Sequence, residues 1–152
     1  MEDSYRLIRS LDSTHPIMTM EAESFFYEEC GKYVDILCID PYASAASQSV
    51  AKKTMVAVEG VNNKKPVYAL LEAYRNTHGN YPTPNDLRNN IYQALIKDAD
   101  AVGYFSITDS EIDDTTGKND VPIWNAKDGG ALWQAIKDFN TSKLGIYICY
   151  TL

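Results

Sequence analysis

Short apolar runs alternate along this chain with stretches whose apolar residues recur at helical spacing. An apolar run of roughly four to eight residues between turn residues is typical of a strand, and a spacing of about 3.6 residues is typical of an amphipathic helix. The predicted strands are residues 17–22, 34–39, 67–71 and 101–108. The predicted helices are residues 4–11, 25–30 and 50–59, one that begins at Pro84, and residues 130–139.

The strict alternation of helices and strands predicts an α/β fold with a parallel sheet. Parallel strands need a connection that returns the chain to the same end of the sheet, and right-handed crossovers place successive repeats side by side. We therefore expect one domain of parallel βα repeats over residues 1–142. Residues 143–152 are rich in β-type residues and are predicted to form an extended C-terminal tail.

The third predicted strand is the most apolar of the four. Pro66 precedes the uninterrupted apolar run 67–71, and Glu72 follows it directly. Such a run predicts a strand that is covered on both faces. Ligands and catalytic groups gather at the carboxyl ends of parallel strands, so Glu72 is a candidate site residue. The alternative interpretation is that Glu72 is a solvated loop carboxylate.

Local signals predict where two of the helices begin and end. Ser24 is a candidate N-cap for the second helix, and Gly31 is a candidate residue to end it. Thr83, Pro84 and Asp86 form a pattern typical of a capping box at the start of the fourth helix.

The net charge of −7 over 152 residues argues against a nucleic-acid or anionic-membrane partner, since basic surfaces bind both. No apolar run approaches the length of a membrane span, and residues 1–10 lack the apolar core of a signal peptide. The cellular location is left open.

Motifs for cofactors and metals are missing from the sequence. It contains no GxGxxG, GxxxxGK[ST] or GxSxG motif, so dinucleotide binding, P-loop nucleotide binding and a hydrolase triad are not predicted. The three cysteines form no CxxC pair, and neither histidine has metal-ligand spacing to a cysteine. We therefore predict no cofactor, no metal and no disulfide framework.

Several segments together resemble a known family. They are DSTHPI, YVDILCIDPY, KKPVYALLEAY, YPTPNDLRNNIYQALIKDADAVGYFS, PIWN and LWQAI. In this order they resemble the C-terminal half of the (β/α)8 barrel of a bacterial glycoside hydrolase of the β-galactosidase-like clan. The resemblance runs from about Tyr5 to Phe139. It implies that the four strands are the fifth to the eighth of a barrel, which needs roughly 250 residues when complete.

The resemblance also implies roles for carboxylates. Retaining enzymes of this clan carry the nucleophile at the end of the seventh strand and the acid/base at the end of the fourth, about 5 Å apart. Glu72 is the position that matches the nucleophile, and the acid/base partner has no match in this chain, Glu21 being its only conceivable substitute. Glu72 stands six residues after Pro66, whereas the family pattern has five. Because side chains alternate along a strand, this shift turns Glu72 to the other face unless a bulge intervenes.

Residues around the same strand ends are candidates for binding sugar. They are Asp40, Tyr42, Tyr74, Asp109 and Trp124. Carboxylates can bind sugar hydroxyls, and a loop tryptophan can stack on a sugar ring. The alternative roles are structural: Asp40 before Pro41 is also typical of a turn, and tyrosine is common throughout this chain.

Three functions follow as hypotheses. The first is a segment of a glycoside hydrolase barrel that acts on carbohydrate, is inactive alone, and becomes an O-glycosyl hydrolase only when the other half completes it. The second is a noncatalytic half-barrel that binds a partner or self-associates, and the third is a flavodoxin-like domain for a small ligand. Open sheet edges in a half-barrel predict a homodimer or an association with an N-terminal half.

Overall fold

The computed structural model describes residues 1–42, 49–73, 82–105 and 129–141. These residues form an α/β fold in which helices and strands alternate as predicted. In chain order the elements are α1 (Glu2–Leu11), β1 (Met18–Glu21), a 3-10 helix (Ser24–Phe26), α2 (Tyr27–Lys32), β2 (Ile36–Ile39), α3 (Val50–Gly60), β3 (Val67–Glu72), α4 (Pro84–Ile96), β4 (Ala101–Phe105) and α5 (Gly129–Thr141). The predicted tail lies outside the described residues.

The four described strands form one parallel sheet in the order β1-β2-β3-β4, as predicted. Thr19 pairs with Leu37, and Leu37 pairs with Val67, which fixes the register of the first three strands. Backbone hydrogen bonds join β4 to β3 at both ends, from the Asp100 amide to the Val67 carbonyl and from the Ala73 amide to the Phe105 carbonyl. The amino ends of β3 and β4 lie together and so do their carboxyl ends, so this pair is also parallel.

The chain divides into two compact units. The first unit contains residues 1–70 and 92–103, and its core includes Tyr27, Leu37, Ile39 and Ala57. The second unit contains residues 71–91 and 104–152, and its described core is formed by Leu71, Leu87, Ile91, Leu132, Ile136 and Phe139.

The two faces of the sheet differ in the first unit. On one face, Leu37, Ile39, Val67 and Ala69 are at most 1% exposed. Glu21, which is the partner of Ile39 in β1, lies on this face and accepts a hydrogen bond from Cys30 of α2. We call it the helix side.

The opposite face, which we call the open side, carries Met18, Met20, Ile36, Cys38, Tyr68 and Leu70. Cys38 is buried, but Met18 and Met20 are 55% and 54% exposed. In β3 the burial alternates between buried and half-buried positions, so the expectation that this strand is covered on both faces was wrong. Successive side chains point to opposite faces of a strand, and the face of β3 that carries Val67, Ala69 and Leu71 is the more covered one.

Two glycines allow α2 and α3 to approach closely. A Cβ on Gly60 would lie 3.2 Å from the backbone nitrogen of Glu28, and a Cβ on Gly31 would lie 2.8 Å from Cγ1 of Val61. Gly31 was predicted to end the second helix, but it lies inside α2, which ends at Lys32. Its role is therefore close packing.

The predicted start of the second helix was also wrong, whereas that of α4 is confirmed. Ser24 is the first residue of the 3-10 helix, and Glu23 occupies the cap position without a side-chain bond. At α4 the Asp86 amide donates to the Thr83 hydroxyl (3.1 Å) and the Thr83 amide donates to the Asp86 carboxylate (3.0 Å). These reciprocal bonds define a capping box.

Lys65 closes the other end of α2. Its Nζ donates to the carbonyls of Gly31 (2.6 Å), Lys32 (3.3 Å) and Val34 (2.8 Å). The last carbonyls of a helix have no intrahelical donor, and a cation there also interacts favourably with the helix dipole. Lys65 thus joins the start of β3 to the end of α2.

Candidate functional site

Glu72 is the last residue of β3 and is half-buried. Burial raises the pKa of its carboxyl group above the usual glutamate value. Within the described part of the chain, neither a hydrogen-bond donor nor a cation offsets this desolvation. Glu72 therefore keeps its proton to a higher pH than an ordinary surface glutamate.

The backbone of β3 determines which way Glu72 points. Burial alternates without interruption from Val67 to Glu72, so the strand contains no bulge between them. Glu72 consequently belongs to the same face of β3 as Tyr68 and Leu70, the less covered one. The loop interpretation of Glu72 is wrong, because the residue is part of the strand.

Asp40 and Tyr42 lie at the carboxyl end of β2, on either side of the buried Pro41. The Asp40 amide donates to the Glu21 carbonyl (3.0 Å), which extends the β1–β2 pairing by one residue. The Oδ1 atom of Asp40 is buried from solvent, and the residue as a whole is half-buried. Tyr42 is also half-buried.

A tyrosine that sequence reasoning placed only within a helix lies beside these carboxylates. Tyr27 is fully buried, and its hydroxyl donates to the Ala22 carbonyl (3.4 Å) at the end of β1. Burial raises the pKa of Tyr27, and the charges of Asp40 and Glu21 raise it further. No sequence motif marks Tyr27, because its proximity to Asp40 and Glu21 arises only in the folded chain.

The Glu21 side chain already forms hydrogen bonds with nearby residues. Its carboxylate accepts hydrogen bonds from the Glu23 amide (2.9 Å) and from the Cys30 thiol (3.7 Å). Burial raises the pKa of Cys30, and the neighbouring Glu21 raises it further. Because Glu21 points to the helix side, it is a poor substitute for an acid/base residue on the open side.

The remaining sequence candidates, Tyr74, Asp109 and Trp124, lie outside the described residues. Of the others, Asp40 and Tyr42 belong to the first compact unit and Glu72 to the second. Asp40 and Tyr42 are brought together at one strand end.

The ranges that the structure describes contain no group of three histidine, cysteine, aspartate or glutamate side chains that can hold a metal ion. One cavity of about 360 Å³ lies at the amino end of β3, where Lys64, Lys65, Asp98 and Asp100 line it. It is at the opposite end of the strands from Asp40, so it forms no part of the candidate site.

Comparison of the chain with protein-family models, curated proteins and solved structures finds no match. Among the described residues, no helix has the length and apolar character that a membrane crossing requires.

Proposed function

We propose that this chain contributes the fifth to eighth strands of a carbohydrate-hydrolysing (β/α)8 barrel. Glu72 is one of the two catalytic carboxyl groups of that barrel. The observation that carries the proposal is the placement of Glu72 in β3. It is a half-buried carboxyl at the carboxyl end of a parallel strand, on the face opposite the buried positions Val67, Ala69 and Leu71. Barrel enzymes carry their catalytic groups at this end of the strands.

The strand order supports a barrel over the flavodoxin-like alternative. A doubly wound sheet reverses its strand order at a switch point, and helices then cover both faces. The described strands follow one another in chain order without a reversal. With right-handed crossovers this order puts successive helices on one face, in agreement with the packing of α2 against α3 and the exposure of Met18 and Met20.

The raised pKa of Glu72 bears on its role. A carboxyl group with a raised pKa is typical of the residue that donates a proton to the leaving oxygen, whereas a nucleophile must be ionised. The family resemblance implies the nucleophile, but the uninterrupted alternation of β3 leaves Glu72 on the face opposite to the one that the family spacing implies. Both roles require a second carboxyl group, about 5 Å away in a retaining enzyme and about 6.5–9.5 Å away in an inverting one.

Replacement of Glu72 tests the proposal in the product of the complete reading frame. We expect Glu72→Gln to lower kcat on aryl glycosides by several decades while substrate still binds, because one of two essential carboxyl groups is lost. The exposed Glu59→Gln in α3 is the matched control and should retain full activity. Unchanged activity in Glu72→Gln, with wild-type turnover established, would contradict a catalytic role for Glu72.

Azide rescue of Glu72→Ala separates the two roles. If Glu72 is the nucleophile, azide attacks from the side that the carboxylate occupied, and the glycosyl azide has the opposite anomeric configuration to the substrate. If Glu72 is the acid/base, azide attacks the glycosyl-enzyme intermediate, and the product retains the substrate configuration. The configuration is read from the anomeric proton coupling in the NMR spectrum of the product.

A noncatalytic half-barrel that binds a partner or self-associates is the second candidate. The exposed methionines of the open side favour it, since exposed apolar surface on a sheet is typical of an interface. Absence of turnover in both the chain and the complete product, together with a stable assembly, would support this function.

A further inference from the structure

Two phenylalanine rings are exposed on the connection that follows β1. Phe25 and Phe26 belong to the 3-10 helix, and their exposed fractions are 72% and 47%. The next aromatic residue, Tyr27, is fully buried. The turn therefore exposes the two aromatic side chains that lack a polar group and buries the one that has a hydroxyl, which reverses the usual preference.

Hydrogen bonds hold the backbone of this turn in place. The Phe26 amide donates to the Glu23 carbonyl (2.9 Å). The carbonyl of Ala22 accepts from the Tyr27 hydroxyl (3.4 Å) and from the ammonium group of Lys53 in α3 (3.4 Å). A ligand that binds the two rings thus orders little backbone, and less of its binding free energy is lost to ordering the protein.

The rings offer a small aromatic surface. Their centroids are 4.3 Å apart and their planes meet at 45°, so they do not stack flat on each other. With about 200 Å² of surface for a whole phenylalanine, the exposed fractions correspond to roughly 240 Å². A stable protein interface buries about 800 Å² on each partner, so this surface has the size for a small ligand.

Polar groups of both signs accompany the rings. Glu23 and Glu28, which precede and follow them in the chain, are exposed, and Lys53 lies at the base of the turn. Carboxylates accept hydrogen bonds and an ammonium group donates them, whereas a sugar hydroxyl can do both. The core of a protein interface is depleted of charged residues, so these neighbours favour a polyhydroxyl ligand over a protein.

The rings also lie at the end of the sheet where ligands gather. Glu21, the last residue of β1, pairs with Ile39, and the Asp40 amide extends this pairing, so β1 and β2 end side by side. The 3-10 helix begins three residues after Glu21. Ligand sites of parallel α/β proteins are built from connections of this kind, at the carboxyl ends of the strands.

We propose that Phe25 and Phe26 form a binding site for a neutral oligosaccharide, which we call the phenylalanine platform. One face of a pyranose ring presents C–H groups with a slight positive charge, and these lie against the negative face of an aromatic ring. The hydroxyls at the edge of the sugar bond to Glu23 and Lys53. The choice of carbohydrate rests on the proposed function, and the platform contributes affinity without taking part in bond cleavage.

Sugar titrations of the full chain test the platform. The probes are β-linked pentasaccharides of glucose, xylose, mannose and galactose, and NMR signals of carbon-13-labelled phenylalanine rings report binding. We expect Phe25→Ala to raise the Kd of the bound probe by about tenfold. Phe25→Leu keeps an apolar side chain without an aromatic face and should bind as weakly, whereas Phe25→Trp should bind at least as tightly as the wild type. Tyr92→Ala is the matched control, since Tyr92 is a 49% exposed aromatic residue of α4 in the same compact unit.

Weak binding by Phe25→Ala and Phe25→Leu supports the platform if Tyr92→Ala binds like the wild type and all circular dichroism spectra superimpose. The platform is overturned if no probe binds the wild type at about 10 mM sugar. It is also overturned if Phe25→Leu or Phe25→Ala binds like the wild type, or if Tyr92→Ala weakens binding equally. Self-association of the wild type that Phe25→Ala abolishes, without sugar binding, would assign the rings to a protein contact instead.

Kinetics of the complete product separate the platform from the catalytic proposal. Sugar binding that Phe25→Ala weakens, in a product without turnover, would retain the platform and remove the hydrolase. Turnover that requires Glu72, with an unchanged KM for the pentasaccharide in Phe25→Ala, would retain the hydrolase and remove the platform. If both hold, Phe25→Ala raises this KM and leaves kcat nearly unchanged, because the lost contact is made equally in the ground and transition states.

Discussion

Glu72 illustrates how burial at a single residue changes its chemistry. An ionised carboxylate loses hydration when it is partly buried, and nothing among the described residues compensates Glu72. Natural proteins tolerate such destabilising groups mainly where they serve a function. The carboxylate of Asp35 contrasts with it, because the bond from the Ile17 amide lowers the pKa of that group, and the ion pair with Arg9 lowers it further.

The raised pKa of Glu72 predicts a pH dependence of stability. The folded chain retains the Glu72 proton at pH values where the unfolded chain has lost it, so stability falls as pH rises from about 4.5, the ordinary value, through the raised folded pKa. We expect Glu72→Gln to unfold at a higher temperature than the wild type at pH 7, and the difference to vanish below about pH 4.

Thermal unfolding followed by circular dichroism across this pH range measures the effect. Glu59→Gln, at an exposed position of α3, should unfold at nearly the same temperature as the wild type at every pH. A Glu72→Gln variant that is less stable than the wild type at pH 7 would mean that the ionised carboxylate makes a stabilising contact.

At the scale of elements, the contact between α2 and α3 depends on how closely their backbones approach. Gly60 faces backbone atoms of Glu28, which cannot move aside as a flexible side chain would. In the sequence, Gly60 follows a stretch with helical apolar spacing, and this position predicts that the glycine ends a helix. Its packing partner is more than thirty residues away in the chain, and local pattern carries no information about such a contact.

Replacing Gly60 by alanine should separate the two helices. We expect Gly60→Ala to lower the free energy of unfolding by about 1–3 kcal/mol, because a Cβ would overpack the contact. The control is Gly130→Ala in α5, where a Cβ meets nothing within 4 Å. There alanine should raise the free energy of unfolding by up to about 1 kcal/mol through its helix propensity. Urea titrations of both variants give the comparison, and equal effects would contradict the close approach of α2 and α3.

At the scale of the whole molecule, the net charge of −7 opposes the association of two copies. Raising the salt concentration from about 10 mM to about 150 mM shortens the screening length from about 30 Å to about 8 Å and weakens this repulsion. Self-association through the exposed methionines of the open side depends on apolar contact, which such salt does not weaken.

We therefore expect the dimer Kd to fall several-fold over this salt range, measured by sedimentation equilibrium at constant pH. Ile96→Glu, which adds one further negative charge, should show a slightly larger salt effect than the wild type. A Kd that rises with salt would mean that ion pairs between the copies, rather than apolar packing, hold the dimer.

The sequence by itself determined the order of the elements, the parallel sheet and the capping box of α4. These features depend on the 3.6-residue and two-residue periods and on side chains within three residues of one another, all of which are local. It also identified Glu72 as the group at the end of the central strand, because an apolar run and the carboxylate after it are adjacent in the chain.

Only the tertiary structure decided the features that depend on distant residues. The alternation of β3 assigned Glu72 to the less covered face, and the pairing of Glu21 with Cys30 of α2 identified the helix side. The ion pair of Arg9 with Asp35 and the bond from Tyr33 to Glu2 turned the polar side of α1 inward, although the apolar period of that helix suggests the reverse. Periodicity defines which residues share a face, but the direction of that face follows from partners that lie far away in the sequence.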